Sequence, residues 1–277
     1  MVKLKDVRYG YLILLALMFI MCQVTIPTPI PILRWTKALY DYVDALPAGS
    51  LILVSNQYGS PGPTFEPFAH AFLYHCFQKD LRMIIVSPAL IFVPWADRLL
   101  IETGWGGGGV GAGGKVYGVD YVNLGFLPGM EAGIATLAKD VPAVYNANDY
   151  YGKPISSLPI MQDFKSATDI KIVVIIYDYN PEPYSWMRQW RPYGVPVALH
   201  HYGGPATWLP YWNTGDLIGV SSDIDGGAQY ETLVGVPGLA SALTTLSSAF
   251  FILQAITIVI ASVVFWYGKL SKKKEVK

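Results

Sequence analysis

The chain has 277 residues, 52% hydrophobic and only 14% charged, where an ordinary soluble domain carries about 25% charged residues. Twenty basic and twenty acidic residues cancel to a net charge of zero, so no global field selects nucleic acid as a partner. Two cysteines, Cys22 and Cys76, exclude a disulfide framework, and a hydrophobic core must hold whatever folds.

The charge deficit is uneven. No Asp, Glu, Lys or Arg occurs from Tyr9 to Leu33 or from Thr232 to Gly268, whereas the stretch between has ordinary mixed polarity. Both runs exceed the roughly 20 residues that a helix needs to cross a bilayer. The first follows Lys3, Lys5 and Arg8 and resembles a secretory signal, but no small-residue cleavage site follows. Met21 also stands before Cys22 where a lipoprotein cut wants a small residue. A retained anchor is therefore expected, ended by Pro27, Pro29 and Pro31.

Between the runs, apolar periodicity predicts a sequence of helices and strands. Trp35, Ala38, Leu39, Tyr42, Val43 and Leu46 share one face of a helix. Residues 51–54 read as a buried strand, and Phe65 to Cys76 as a helix. Strands follow at 83–86 and 117–126, separated by a short helix at 94–102, and a helix covers 130–138. Residues 171–177 form the strongest strand, followed by a helix around 184–189 and a strand at 195–199. Pro196 in that last strand suggests an edge or a bulge. Residues 203–238 read as irregular chain returning to the membrane. Strands alternating with helices predict an α/β fold, a mainly parallel sheet flanked by helices, with 51–54 and 171–176 at its centre.

The second apolar run ends in Phe265, Trp266 and Tyr267, then Lys269, Lys272, Lys273 and Lys274, a stop-transfer pattern. Basic residues flank both runs on their terminal sides, so both termini are expected in the cytoplasm. The expected organisation is a cytoplasmic 1–8, a membrane helix and exit at 9–32, and an extracytoplasmic α/β domain at 33–238. A second membrane helix at 239–268 and a basic cytoplasmic tail at 269–277 complete it. Ser241, Ser248, Ala255 and Ser262 recur every seven residues beside Gln254, a stripe suited to helix packing in lipid.

Candidate chemistry is sparse. Ligands of parallel sheets bind beyond the carboxyl ends of the strands, which collects Ser55, Asn56, Tyr58, Ser87, Asp178, Asn180, His200 and His201 as ligand-binding candidates. Ser55, Asp178 and His201 have the chain order of an α/β-hydrolase triad but lack the G-x-S-x-G elbow. Gly109 to Lys115 fits G-x-x-x-x-G-K, but Val116 stands where Ser or Thr would bind magnesium, so residues 104–114, eight of eleven glycine, are expected to be a mobile loop. His70 and His75 point apart on a helix and do not share a metal with Cys76; both read as surface or boundary residues. Asp223 and Asp225 read as turn formers with Gly226 and Gly227 rather than calcium ligands. The 19 tyrosines and 8 tryptophans suggest an aromatic-rich surface. No cofactor or metal is expected.

Three functions fit. The first is a structural or accessory component of a membrane assembly, with the lipid bilayer and a homo-oligomer or other membrane subunits as partners. The second is a small-ligand-binding or sensor module using the strand ends. The third is a hydrolase using Ser55, Asp178 and His201. The absence of a complete catalytic set ranks the first highest.

Overall fold

The structure, a computed structural model, describes residues 29–59, 62–106, 108–178 and 183–275, with Leu12, Leu15, Ala16 and Phe19 of the first apolar run. The expected N-terminal span, Cys22 and Asn180 lie outside the described residues. The chain divides into two compact units, Pro31–Ser241 and a second made of the terminal segments.

The first unit opens with α1 (Arg34–Asp44), which buries Leu39 and Val43 and turns the Lys37–Asp41 pair outward. Then come β1 (Leu51–Gln57), α2 (Glu66–Gln78), β2 (Arg82–Ser87), α3 (Val93–Glu102), β3 (Tyr121–Phe126) and α4 (Met130–Lys139). Next are β4 (Val173–Tyr177), α5 (Pro183–Trp190), β5 (Val197–His201), β6 (Gly219–Ser222) and α6 (Asp223–Val234). The six strands form one sheet in the order β3-β2-β1-β4-β5-β6, every pair parallel. β1 and β4 are neighbours at its centre, and their unbroken apolar runs reflect burial on both faces. Helices α1, α2, α3 and α6 pack on one another along one side, and α4 packs on α5. The chain builds outward from β1 to β3, then restarts beside β1 at β4, so the winding reverses between these two strands.

Four expectations need correction. Residues 203–238 are not irregular, because they hold β6 and the twelve-residue α6. Asp223 and Asp225 are not turn formers; they lie in the first turn of α6, where acidic side chains favour the positive end of the helix dipole. Gly226, read as a turn residue beside Asp223 and Asp225, is a close-packing position, and so is Gly219. A Cβ at Gly219 would lie 2.5 Å from Leu39 Cβ, and one at Gly226 2.5 Å from Ser221 Oγ. Pro196 marks no edge: it precedes β5, an interior strand between β4 and β6, and its carbonyl accepts the Val173 amide.

The aromatic residues are also more internal than expected. Trp105, Trp186 and Trp190 are fully buried, and Trp208 nearly so. In the glycine stretch, the indole N–H of Trp105 donates to the Leu73 carbonyl. Backbone bonds Ala112 N to Gly104 O and Gly111 N to Lys115 O close the stretch.

The last helix, α7 (Leu239–Glu275), contains the stretch Leu239–Tyr267, which is long and apolar enough to cross a membrane; it is the one such helix among the described residues.

Candidate functional site at the carboxyl ends of the strands

Strand register decides which candidates meet. Gln57, Tyr177, His201 and Ser222 are paired across β1, β4, β5 and β6, so their side chains share one face at the carboxyl edge. The row one residue earlier, Asn56, Ile176, His200 and Ser221, faces the other side. Ser87, one step past the Ser55↔Val86 pair, and Asn123, paired with Ile85, project to that second side.

His200 is a structural residue. It is wholly buried and stacks on Phe68 of α2 at 4.1 Å. Its Nε2 donates to the Thr64 carbonyl at 2.8 Å, which leaves Nδ1 to accept from the Ser221 hydroxyl at 2.9 Å. Burial pushes its pKa down to about 3, so the ring is neutral. It ties the entry of α2 to β5 and β6.

His201 is different. Its Nδ1 donates to the Tyr202 carbonyl at 2.7 Å, so Nε2 carries the lone pair. That nitrogen is buried and has no hydrogen-bond partner among the described residues. Burial lowers the pKa of this imidazole, opposed by the Tyr202 bond and by Asp223. Trp208 lies edge-on at 6.0 Å and itself packs on Tyr177, Tyr184 and Tyr211. This aromatic wall was missed from sequence because its members come from three separate segments.

On the opposite face, Asn56 donates to the Phe92 carbonyl at 3.0 Å while its Oδ1 is buried without a partner among the described residues, as are Ser87 Oγ and Asn123 Nδ2. Asn123 Oδ1 accepts the Gly125 amide at 3.0 Å, two residues on, where β3 carries a bulge. Gly125 has φ +76°, which glycine adopts without strain. Bulges of this kind occur beside functional sites. Beyond β3, a cavity of about 450 Å³ is bounded by Leu90, Val93, Phe126, Tyr145 and Tyr150, within the size range of small-molecule sites.

The remaining candidates separate. Tyr58 is buried, stacked on Phe65 at 5.4 Å, and burial raises its pKa. Asp178 is exposed, with its amide bonded to the Gln57 carbonyl. Ser55 is buried and bonded to Gln57 Nε2 at 2.8 Å. Ser55, Asp178 and His201 make no hydrogen-bonded triad: the nitrogen that Asp178 would orient is held by Tyr202, and the one that would activate Ser55 has no partner among the described residues.

Of the other histidines, His75 is a correction, because it is buried, between the Tyr230 hydroxyl at 3.0 Å and Asp44 at 3.4 Å. Cys76 is fully buried, which raises its thiol pKa. Among the described residues no group of three His, Cys, Asp or Glu could hold a metal. Lys115, the lysine of the phosphate-loop resemblance, is buried, paired with Asp80 and set over the rings of Phe77 and Trp105. In the packing stripe, the Ser241 hydroxyl donates to Glu231. Of the rest of that stripe, Ser248 is half-buried, and Gln254, Ala255 and Ser262 are exposed.

No family model, curated protein or solved structure matches this chain.

Proposed function

We propose that this chain is a membrane-anchored domain that binds a small polar molecule at the carboxyl edge of its sheet. The observation that carries this reading is a set of buried polar atoms there without partners among the described residues: Asn56 Oδ1 and Ser87 Oγ, with Asn123 Nδ2 beside the bulge, on one face, and His201 Nε2 on the other. Such atoms cost about 1–3 kcal/mol each unless something bonds them. Their position beside the reversal of strand order is where doubly wound sheets take ligands. Carboxylates at this edge, Asp149, Asp178 and Asp223, favour a neutral or cationic ligand over a phosphate.

In this reading α7 and the N-terminal apolar run both cross the membrane, and the domain faces outward with both termini in the cytoplasm. The support is the lysine tail after Tyr267 and the basic start before Tyr9. Screening small polar compounds against the unfolding temperature of the full chain in detergent tests the ligand reading. Compounds that stabilise the native chain but not His201→Phe or Asn56→Leu support it. Stabilisation undiminished in both variants, or found with no compound, overturns it.

A second reading, an accessory subunit of a membrane assembly, draws on Gln254. This amide is exposed halfway along the apolar stretch of α7, and in lipid it gains from a hydrogen-bonding neighbour on another helix. Cross-linking in membranes tests it: Ser248 and Ala255 replaced together by Leu should abolish any captured oligomer.

A further inference from the structure

A second cavity of the domain lies away from the strand ends. It encloses about 610 Å³ between α2, α3, the glycine loop and the segment that leads into α7. One wall is apolar, made by Pro67, Ala71, Tyr74, Phe77, Val236 and Leu239. The other is ionic. Arg98 Nε bonds Glu102 Oε1 at 2.6 Å, its Nη1 lies 3.4 Å from Glu66 Oε1, and His70 Nε2 lies 3.1 Å from Glu102 Oε2. One guanidinium thus serves two carboxylates, so acidic groups outnumber the arginine on this wall.

Leu239 lines this cavity and is also the first residue of the apolar stretch that ends at Tyr267. Those 29 residues rise about 43 Å as helix. A bilayer is about 30 Å thick in hydrocarbon and 40–45 Å with its headgroups. If Trp266 and Tyr267 sit at one interface, as aromatic residues do, Leu239 falls in the headgroup layer of the other. The part of the cavity lined by Leu239 is then at headgroup height.

We propose that this cavity holds the ammonium-bearing headgroup of a zwitterionic aminophospholipid, a placement that rests on the membrane anchor proposed above. The ammonium meets Glu66 and Glu102, and the first acyl carbons lie along Val236 and Leu239. An anionic lipid has no such match, because Arg98 is already shared between two carboxylates.

The test uses the full chain in detergent with equal amounts of phosphatidylethanolamine and phosphatidylglycerol, and native mass spectrometry to count the lipids retained. The native chain should retain phosphatidylethanolamine about fivefold over phosphatidylglycerol. E66Q/E102Q should invert that preference, since it leaves Arg98 unpaired, and neither side chain is part of the hydrophobic core. Equal retention by the native chain, an unchanged preference in the double variant, or full displacement by soluble glycerophosphoethanolamine overturns the proposal. Alkaline carbonate extraction separates the two readings. A chain washed from the membrane overturns the anchor, and with it the cavity's placement at the headgroups. A retained chain without the lipid preference overturns the headgroup site alone.

Discussion

The carboxylate of Glu231 accepts both the amide of Ser241 at 2.8 Å and its hydroxyl at 2.6 Å. It also takes the amides of Gly238 and Ala240, at 2.9 and 3.2 Å. The first turn of a helix leaves its N–H groups without internal partners and carries partial positive charge. A buried anion from α6 thus satisfies the start of α7, and four hydrogen bonds together with that dipole offset the cost of burying it. Gly238 fits here because a Cβ would stand 2.6 Å from Glu231 Oε1.

Glu231→Gln should therefore destabilise the domain by about 1–3 kcal/mol, since the neutral amide accepts fewer bonds and loses the dipole interaction. Ser241→Ala should cost about 1 kcal/mol. Thermal unfolding of the full chain in detergent measures both. Equal stability of Glu231→Gln and the native chain would show that the contact contributes nothing.

Acid should unfold the domain through its histidines. The unfolded chain protonates His200 below its ordinary pKa of 6.5, whereas the folded residue stays neutral down to about 3. A depressed folded pKa means stability is lost as pH falls through this window, by up to about 1.4 kcal/mol per unit. His75 and His201, shifted downward by burial, act in the same direction. Urea unfolding between pH 7 and pH 4, with His200→Gln as the comparison, should give a shallower pH slope in the variant.

Ser55 should not behave as a catalytic nucleophile. Its hydroxyl is buried and bonded to Gln57, and the ring hydrogen bonds of His200 and His201 go to other groups. A fluorophosphonate probe should leave it unlabelled at neutral pH. Stoichiometric labelling of Ser55 would restore the hydrolase reading.

Replacing residues 104–114 by a Gly-Ser linker should be costly, contrary to what eight glycines suggest. The loop carries Trp105, which is fully buried against Phe77 and Tyr121. Losing a buried tryptophan costs about 3–5 kcal/mol. Restoring only the tryptophan at its position in the linker should recover much of the loss, as read by chemical unfolding.

The central strands were legible because burial on both faces writes an unbroken apolar run, as in β1 and β4. β6 was not, because Gly219-Val-Ser-Ser carries no such run. Its glycine is there for the close approach of Leu39, a contact between residues 180 positions apart. Likewise α6 begins Asp-Ile-Asp-Gly-Gly, a local turn signal that tertiary packing overrides. At the candidate site, the sheet rule located the strand-end residues. Which of them still had hydrogen bonds to give depended on distant partners, Thr64 and Ser221 for His200 and the Tyr202 carbonyl for His201.

A high-resolution density map of the protein purified from its native source tests the ligand site most directly. The account predicts a bound small molecule at the carboxyl edge, hydrogen-bonded to His201 Nε2 or to the Asn56 and Ser87 side chains. Water alone at all of these atoms, or a chain segment that satisfies them, would contradict it.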